Sequence, residues 1–378
     1  MLSAVGIVSE YNPFHNGHRY QLERAKAITG ADVVIAIMSG NWLQRGEPAV
    51  YDKWQRARAA LLSGVDLVIE LPFYAAVQPS HLFSAGAVRL AAAIKCQWLA
   101  FGAENPTMNY QELIDNQPRH DPSFKQFDRP YASIFQDYLY EKTGIRLNQP
   151  NDILAFGYAN ANHQLGSPLQ LMPIQRVGGA HNDNELTAGN VTSASSIRTA
   201  IKAGPVSSLK HFVPTPSWEM ISTNQPVFAE RFWPMLRFEL IEAPISQLQK
   251  IYQMTEGIEY RLKQAAISAA TLSDFLHLVK TKRYTYTRIQ RLCSYVLMHA
   301  ATSDMQVTPQ YIRPLGFTEV GRRYLNQVKG DLSLPVISKV NQDVVTDYLN
   351  MDFKSGMLME MVTGAHQDFY RHPIILEK

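Results

Sequence analysis

The sequence predicts an α/β protein, with a parallel-sheet domain over residues 1–204 and a mainly helical domain over residues 205–378. Three observations carry this. Short apolar runs of strand length alternate with helix-period segments through the first two hundred residues; the alternation stops at Ala203-Gly204-Pro205; and helical patterns dominate thereafter. The 378 residues, 46% hydrophobic and 18% charged, have ordinary globular composition and are enough for two cores. A net charge of +3 means that a nucleic-acid partner would have to be held by a local basic patch.

Taken in order, Ala4 to Val8, Asp32 to Met38, Asp66 to Leu71 and Trp98 to Phe101 are short, mostly apolar runs, as expected of strands buried on both faces. Between them Tyr20 to Ile28, Lys53 to Ser63 and His81 to Ile94 have helical spacing. Such alternation builds a parallel sheet with right-handed crossovers, and ligands bind such sheets outside the carboxyl ends of the strands. From Asn105 to Gln149 the pattern weakens, punctuated by Pro106, Pro118, Pro122 and Pro130. Ile153 to His163 is again helical, and Leu169 to Gln175 is a fifth strand delivering Arg176, followed by a loop over Gly178 to Asp183. Beyond residue 205, Leu236 to Gln253, Glu256 to Ser268, Leu272 to Val279 and Arg288 to His299 are expected helices. In the last part, Leu334 to Val340 is strand-like, and Val344 to Leu349 and Gly356 to Val362 are helical.

Candidate chemistry gathers at strand ends. The first strand runs into Ser9-Glu10-Tyr11-Asn12-Pro13-Phe14-His15-Asn16-Gly17-His18, a turn that opens a helix. Free N–H groups and the positive dipole end lie there, Gly17 lets a ligand approach the backbone, and two imidazoles stand ready for phosphate oxygens. The loop Ser39 to Pro48 is rich in donors, Gly102 leaves room for a base or ribose, and Glu70 and Glu104 close strands three and four. Thr192-Ser193-Ala194-Ser195-Ser196-Ile197-Arg198 opens another helix. Ser193 or Ser195 can cap it, and Arg198 adds a phosphate-binding fork.

Cys96 and Cys293 are far apart in sequence and fit buried thiols better than a disulfide framework or zinc site. The first residues lack a basic region and a cleavage site, and no apolar run approaches the ~18 residues of a membrane span, so a cytoplasmic location is expected.

His15-Asn16-Gly17-His18 and the Ser195-Ser196-Ile197-Arg198 segment resemble the two signatures of the nucleotidyltransferases. Together with Gln44-Arg45-Gly46-Glu47-Pro48, Gly64 to Pro72, Lys282 to Arg291 and Arg313 to Phe317, they make the chain similar to the bacterial tRNA(Met) cytidine acetate ligases. The resemblance implies a Rossmann-like domain in which acetate attacks the α phosphate of ATP. Acetyl-adenylate and pyrophosphate form, and the acetyl group passes to the wobble cytidine of elongator tRNA(Met), giving N-acetylcytidine. It implies that His15 and His18 stabilise charge on the α phosphate and bridging oxygen, and that Ser195, Ser196 and Arg198 hold the leaving phosphates with Mg²⁺ bridging them. Ile7, Val8, Ser9, Glu10, Tyr11, Asn12, Pro13, Phe14, Asn16, Gly17, Gly102, Asn151 and Arg176 complete the implied ATP site. The residues themselves single out no metal ligand. Lys282, Arg283, Arg288 and Arg291, interleaved with Tyr284 and Tyr286, are the expected tRNA contact, with Arg288 and Arg291 on one helix face. Two alternatives keep the core motifs: a small-molecule adenylyltransferase, and a non-catalytic RNA-binding protein on the same fold.

Overall fold

The computed structural model describes residues 1–118, 131–177 and 190–377. The loop expected at Gly178 to Asp183 lies outside them, as do Pro122 and Pro130. Five strands come from the first two hundred residues: β1 (Ala4–Ser9), β2 (Val33–Ser39), β3 (Leu67–Leu71), β4 (Trp98–Ala103) and β5 (Gln170–Gln175). They pair in parallel in the order β5-β4-β1-β2-β3. The chain therefore grows outward from β1 through β2 to β3, then returns to the other side of β1 with β4. That reversal opens a crevice at the carboxyl ends of β1 and β4.

The helices begin where local chemistry closes their free N–H groups. For α1 (Asn16–Thr29) the N-cap is His15, and Gly30 ends it in the left-handed conformation at φ 64°. For α2 (Lys53–Leu62) Asp52 accepts from Gln55 N while the Gln55 side chain accepts in return from Asp52 N. One face of the sheet is covered by α1 and α2 through Leu22, Ala25, Trp54, Ala57 and Leu61. The other is covered by α3 (Ser80–Ala93) and α4 (Pro150–Gln164), whose Phe83, Val88, Ala155 and Tyr158 join a core that continues into Leu240, Leu262, Phe275 and Leu292. The weak stretch before α4 contains helices at Tyr110–Asp115 and Tyr131–Thr143, joined to α4 by a small cluster of Met108, Leu113, Leu139 and Phe156.

After α5 (Ala194–Ala203) the chain is mainly helical, with α6 (Trp233–Glu242), α7 (Ile258–Ser268), α8 (Leu272–Val279), α9 (Tyr286–Leu297), α10 (Glu319–Val328) and α11 (Asn350–Thr363). Two expectations fail there at prolines. The single helix over Leu236 to Gln253 stops at Glu242 because Pro244 starts a separate turn, Ile245–Leu248. Leu334 to Val340 forms no strand, since Pro335 removes a ladder donor; one bridge, Ile312 to Val336, is all that forms. Instead β6 (Arg313–Thr318) adds antiparallel to β3, and β7 (Ile374–Leu376) pairs parallel to β6.

A buried charge cluster fastens this outer edge. Lys53 Nζ lies 3.0 Å from Glu70 and 2.8 Å from Asp368, while Arg313 lies 3.2 Å from Glu70 and 2.8 Å from Asp368. Two cations and two carboxylates, all nearly inaccessible, thus link α2, β3, β6 and the segment after α11. The opposite charges hold Asp368 below the usual carboxylate range despite its burial. No helix among the described residues is long and apolar enough to cross a membrane.

Candidate active site

The turn after β1 is pinned from three sides. Glu10 Oε1 accepts from Gln44 N at 3.0 Å, and Asn12 Oδ1 accepts from Val50 N at 2.8 Å. The third anchor is Arg56, fully buried on α2, which donates to the carbonyls of Tyr51 (2.9 Å), Glu10 (2.6 Å), Ser39 (3.1 Å) and Gly40. One guanidinium thereby holds the carboxyl ends of β1 and β2 in register. Sequence reasoning missed it; the only signal is an arginine set among alanines in the Arg56-Ala57-Arg58-Ala59 run. Tyr11, at φ 45°, turns its ring inward onto Phe14 (4.7 Å between centroids) and His18 (5.0 Å). The side chains of Ile7, Tyr11 and Phe14 belong to the core beneath the turn, so only their backbone can face a ligand. Asn16 is likewise a tether, donating to the carbonyls of Asn190 (2.7 Å) and His211 (2.9 Å).

Above this floor the two imidazoles stack, 3.7 Å between centroids and 29° between planes. Backbone hydrogen bonds set their tautomers. His15 Nδ1 accepts from Gly17 N at 3.0 Å, and His18 Nδ1 accepts from His15 N at 3.3 Å, so in each neutral ring the proton sits on Nε2. Burial, then Arg176 and Arg198, push His15 down to about 3. Burial, then His15 and Arg176, hold His18 well below the usual histidine range. Both are neutral donors at physiological pH, flanked by two arginines at a helix N-terminus.

Arg176 follows β5 and lies across Gly102 of β4, where a Cβ would come within 3.3 Å of its Cγ. It points toward Glu104, 3.8 Å away. Glu104 also accepts from Asn151 Nδ2 (2.6 Å) and Asp152 N (2.9 Å), while Asp152 accepts from the backbone of Glu104 and Asn105 (2.9 Å each). This reciprocal knot between β4 and the start of α4 fixes Asn151 and Arg176 together at the crevice. Asp152 belongs to the knot and was not foreseen.

The serine cluster separates into two jobs. Ser193 is the N-cap of α5, accepting from Ser196 N at 3.0 Å, and the buried Ser196 hydroxyl is 2.8 Å from Ser193 Oγ. Ser195 faces outward to Arg198, whose guanidinium donates to Ser195 Oγ (3.1 Å) and to Asn12 O (3.0 Å). Arg198 thus bridges α5 to the His15 turn, and Ser195 is the hydroxyl beside it.

The four cations of the second region are not one surface. Lys282 is exposed. Arg283 and Arg288 both pair with Glu256, at 3.0 and 3.2 Å. Arg291 lies three positions after Arg288 on α9, as expected, but it is buried, 9% exposed, while Arg288 is half-buried. The cause is Gly46: its φ of 86° brings the β2 loop so close that a Cβ there would lie 2.5 Å from the Arg291 backbone, and Ser294 Oγ donates to Gly46 O at 2.5 Å. Cys96 and Cys293 are free and buried, their thiols pushed up to about 12. Among the described residues no group of three His, Cys, Asp or Glu side chains could cage a metal ion.

The chemistry gathered here, neutral imidazole donors, two guanidiniums and a helix start, suits a phosphate chain. The family model of the HIGH Nucleotidyl Transferases matches residues 2–371. The tRNA(Met) cytidine acetate ligase of Levilactobacillus brevis is 50% identical over 99% of this chain and 98% of its own length. That of Leuconostoc citreum is 45% identical over 99% and 97%. Among solved structures, Thermotoga maritima TmcAL in its apo form superposes with TM-score 0.91 at 30% identity, covering all of both chains. The same protein bound with alpha-thio ATP superposes with TM-score 0.89 at 29% identity, again covering both chains completely.

Proposed function

We infer from the chain's place in the HIGH nucleotidyltransferase family, to which it belongs as one of the tRNA(Met) cytidine acetate ligases, that it is an ATP-dependent ligase acting on tRNA(Met). The observation that carries the mechanism is the pair of neutral, Nε2-protonated imidazoles at the start of α1, between Arg176 and Arg198. In the step we propose, an acetate oxygen attacks the α phosphorus of ATP and the bond to the bridging oxygen breaks, leaving acetyl-adenylate and pyrophosphate. The His15 and His18 Nε2–H groups donate to the oxygens on which negative charge grows, worth more in a site closed to water than in solution. Ser195 and Arg198 hold the departing phosphates, and Gly102, Asn151 and Arg176 the nucleoside side. Ser196 supports the cap. Mg²⁺ would arrive on the ATP phosphates rather than on a protein cage.

In the second step the exocyclic amine of the wobble cytidine of elongator tRNA(Met) takes the acetyl group and AMP leaves. Residues 1–204 supply the ATP site in this reading, and residues 205–378 carry the RNA, with Lys282, Arg283 and Arg288 at the contact. The test is pyrophosphate–ATP isotope exchange with and without acetate, joined to mass spectrometry of tRNA(Met) nucleosides. Acetate-dependent exchange and acetylated cytidine are expected. Exchange driven by a phosphate ester instead would make this a small-molecule adenylyltransferase, and no exchange with any carboxylate would make it an RNA-binding protein.

A further inference from the structure

From Lys280 to Arg291 the chain carries five cations and no carboxylate. Two of these cations nevertheless share one. Glu256, from the loop before α7, lies 3.0 Å from Arg283 Nη2 through one oxygen and 3.2 Å from Arg288 Nη1 through the other. A carboxylate set between two guanidinium forks stands where such forks would take the oxygens of a phosphate. The frame around it is fixed. Both guanidiniums lie over the ring of the buried Tyr284, at 5.9 and 5.1 Å from its centre. Tyr284 OH donates to Glu256 O at 3.2 Å, and Arg288 Nη2 donates to Thr255 Oγ1 at 3.1 Å, so the loop is tied to the cations through backbone and side chains alike.

Holding the fold together does not account for this trio. The side chains of Arg283, Glu256 and Arg288 are 36%, 33% and 26% exposed, and ion pairs so open to water contribute little to stability. Glu256 also sits at φ 68°, a left-handed conformation that disfavours a residue with a Cβ and that Gly257 beside it adopts freely at φ 75°. The clear effect of the carboxylate is on the cations, since it cancels one of two positive charges at the rim of the proposed RNA contact. Being open to solvent, it can also be displaced. Next to the trio, Tyr286 opens α9 with its residue 45% exposed, and Lys280 Nζ lies 5.7 Å from the centre of its ring. Guanidiniums that take backbone phosphate beside an open aromatic ring that takes a base are what an unpaired RNA strand requires.

Resting on the RNA-ligase reading, we propose that Glu256 occupies the seat of one RNA backbone phosphate between Arg283 and Arg288. RNA that makes its other contacts displaces the carboxylate, and RNA that does not is held off by it, so Glu256 is a specificity-determining residue. The test uses the full chain with Glu256→Gln and Glu256→Asn, the second because asparagine tolerates a positive φ and keeps the loop folded. Binding of tRNA(Met) and of a non-cognate tRNA is measured against salt in the absence of ATP, with thermal midpoints recorded alongside. Both variants should bind each tRNA about 10-fold more tightly near about 0.1 M salt, with a salt slope steeper by about one. The non-cognate tRNA should gain at least as much as tRNA(Met), and the midpoints should stay within about 2 °C of wild type. Adding Arg283→Gln and Arg288→Gln to Glu256→Gln should abolish the gain. Unchanged affinity and slope would mean that the two arginines serve Glu256 alone, and weaker binding would make Glu256 the residue that orients them for RNA; either overturns the proposal. A gain that survives loss of both arginines would reduce it to net charge, and a gain confined to tRNA(Met) would remove the role in specificity. Acetate-dependent exchange by the wild type, which needs no RNA, tests the ligase reading separately.

Discussion

Removing His18 separates its two jobs. Its Nδ1 closes the α1 cap by accepting from His15 N, and its ring packs on Tyr11, Phe14 and His15; its Nε2–H remains for the ligand. His18→Ala loses all of these. The cap is worth about 0.5–2 kcal/mol and the ring contacts about 0.5–1.5 kcal/mol. A cooperative chain of this length unfolds with an entropy near 0.8 kcal/mol/K, so the thermal midpoint should fall by roughly 1–4 °C. The motif alone suggests that truncation at a helix start is harmless to the fold; the packed ring corrects that. His18→Asn keeps an oxygen that can accept from His15 N, and should lose only about 1 °C. Acetate-dependent exchange should nevertheless fall in both by roughly 10²–10³-fold, the cost of one preorganised donor. The measurements are differential scanning calorimetry and exchange at saturating ATP. An Asn variant near wild-type rate, or an Ala variant slowed only in proportion to its unfolded fraction, would refute a donor role.

Arg198→Lys keeps the charge but cannot span Asn12 O and Ser195 Oγ together; the KM for ATP should rise by about 10-fold, and unchanged ATP kinetics would return the serine cluster to helix capping. Because His15 is held down to about 3 when folded and titrates near 6.5 when unfolded, the unfolded chain binds more protons between those values. Its contribution to stability is complete above the unfolded value and is lost as pH falls, at no more than about 1.4 kcal/mol per pH unit. Urea midpoints of His15→Asn should accordingly decline less steeply than wild type between about pH 7 and 4.5, and parallel slopes would contradict the buried neutral ring. Asp368→Ala leaves Lys53 and Arg313 to share Glu70 alone, and should cost about 3–5 kcal/mol in urea unfolding; a shift below about 1 kcal/mol would mean the cluster does not fasten the sheet edge.

The sequence by itself determined what depends on near neighbours. Strand-length apolar runs put β1 to β4 within a residue or two of their observed ends, because a strand buried on both faces is largely apolar and a charge in it, such as Glu70 in β3, must be paired. His15 and His18 were legible as a unit because an N-cap and the residue three positions later meet in any helix start, and Ser193 to Arg198 for the same reason. Interruptions were harder to see even locally, as Pro244 and Pro335 show. The tertiary structure alone decided which strands neighbour β1, and therefore that Arg176, crossing Gly102 and held with Asn151 on Glu104, acts on the imidazoles. It alone placed β6 and Asp368 against β3, set Arg56 under the turn, and turned Arg291 inward against Gly46. These contacts join residues far apart in the chain. They leave no periodicity behind, since a side chain's partner across a sheet or core is fixed by how whole elements pack, not by the residues beside it in sequence.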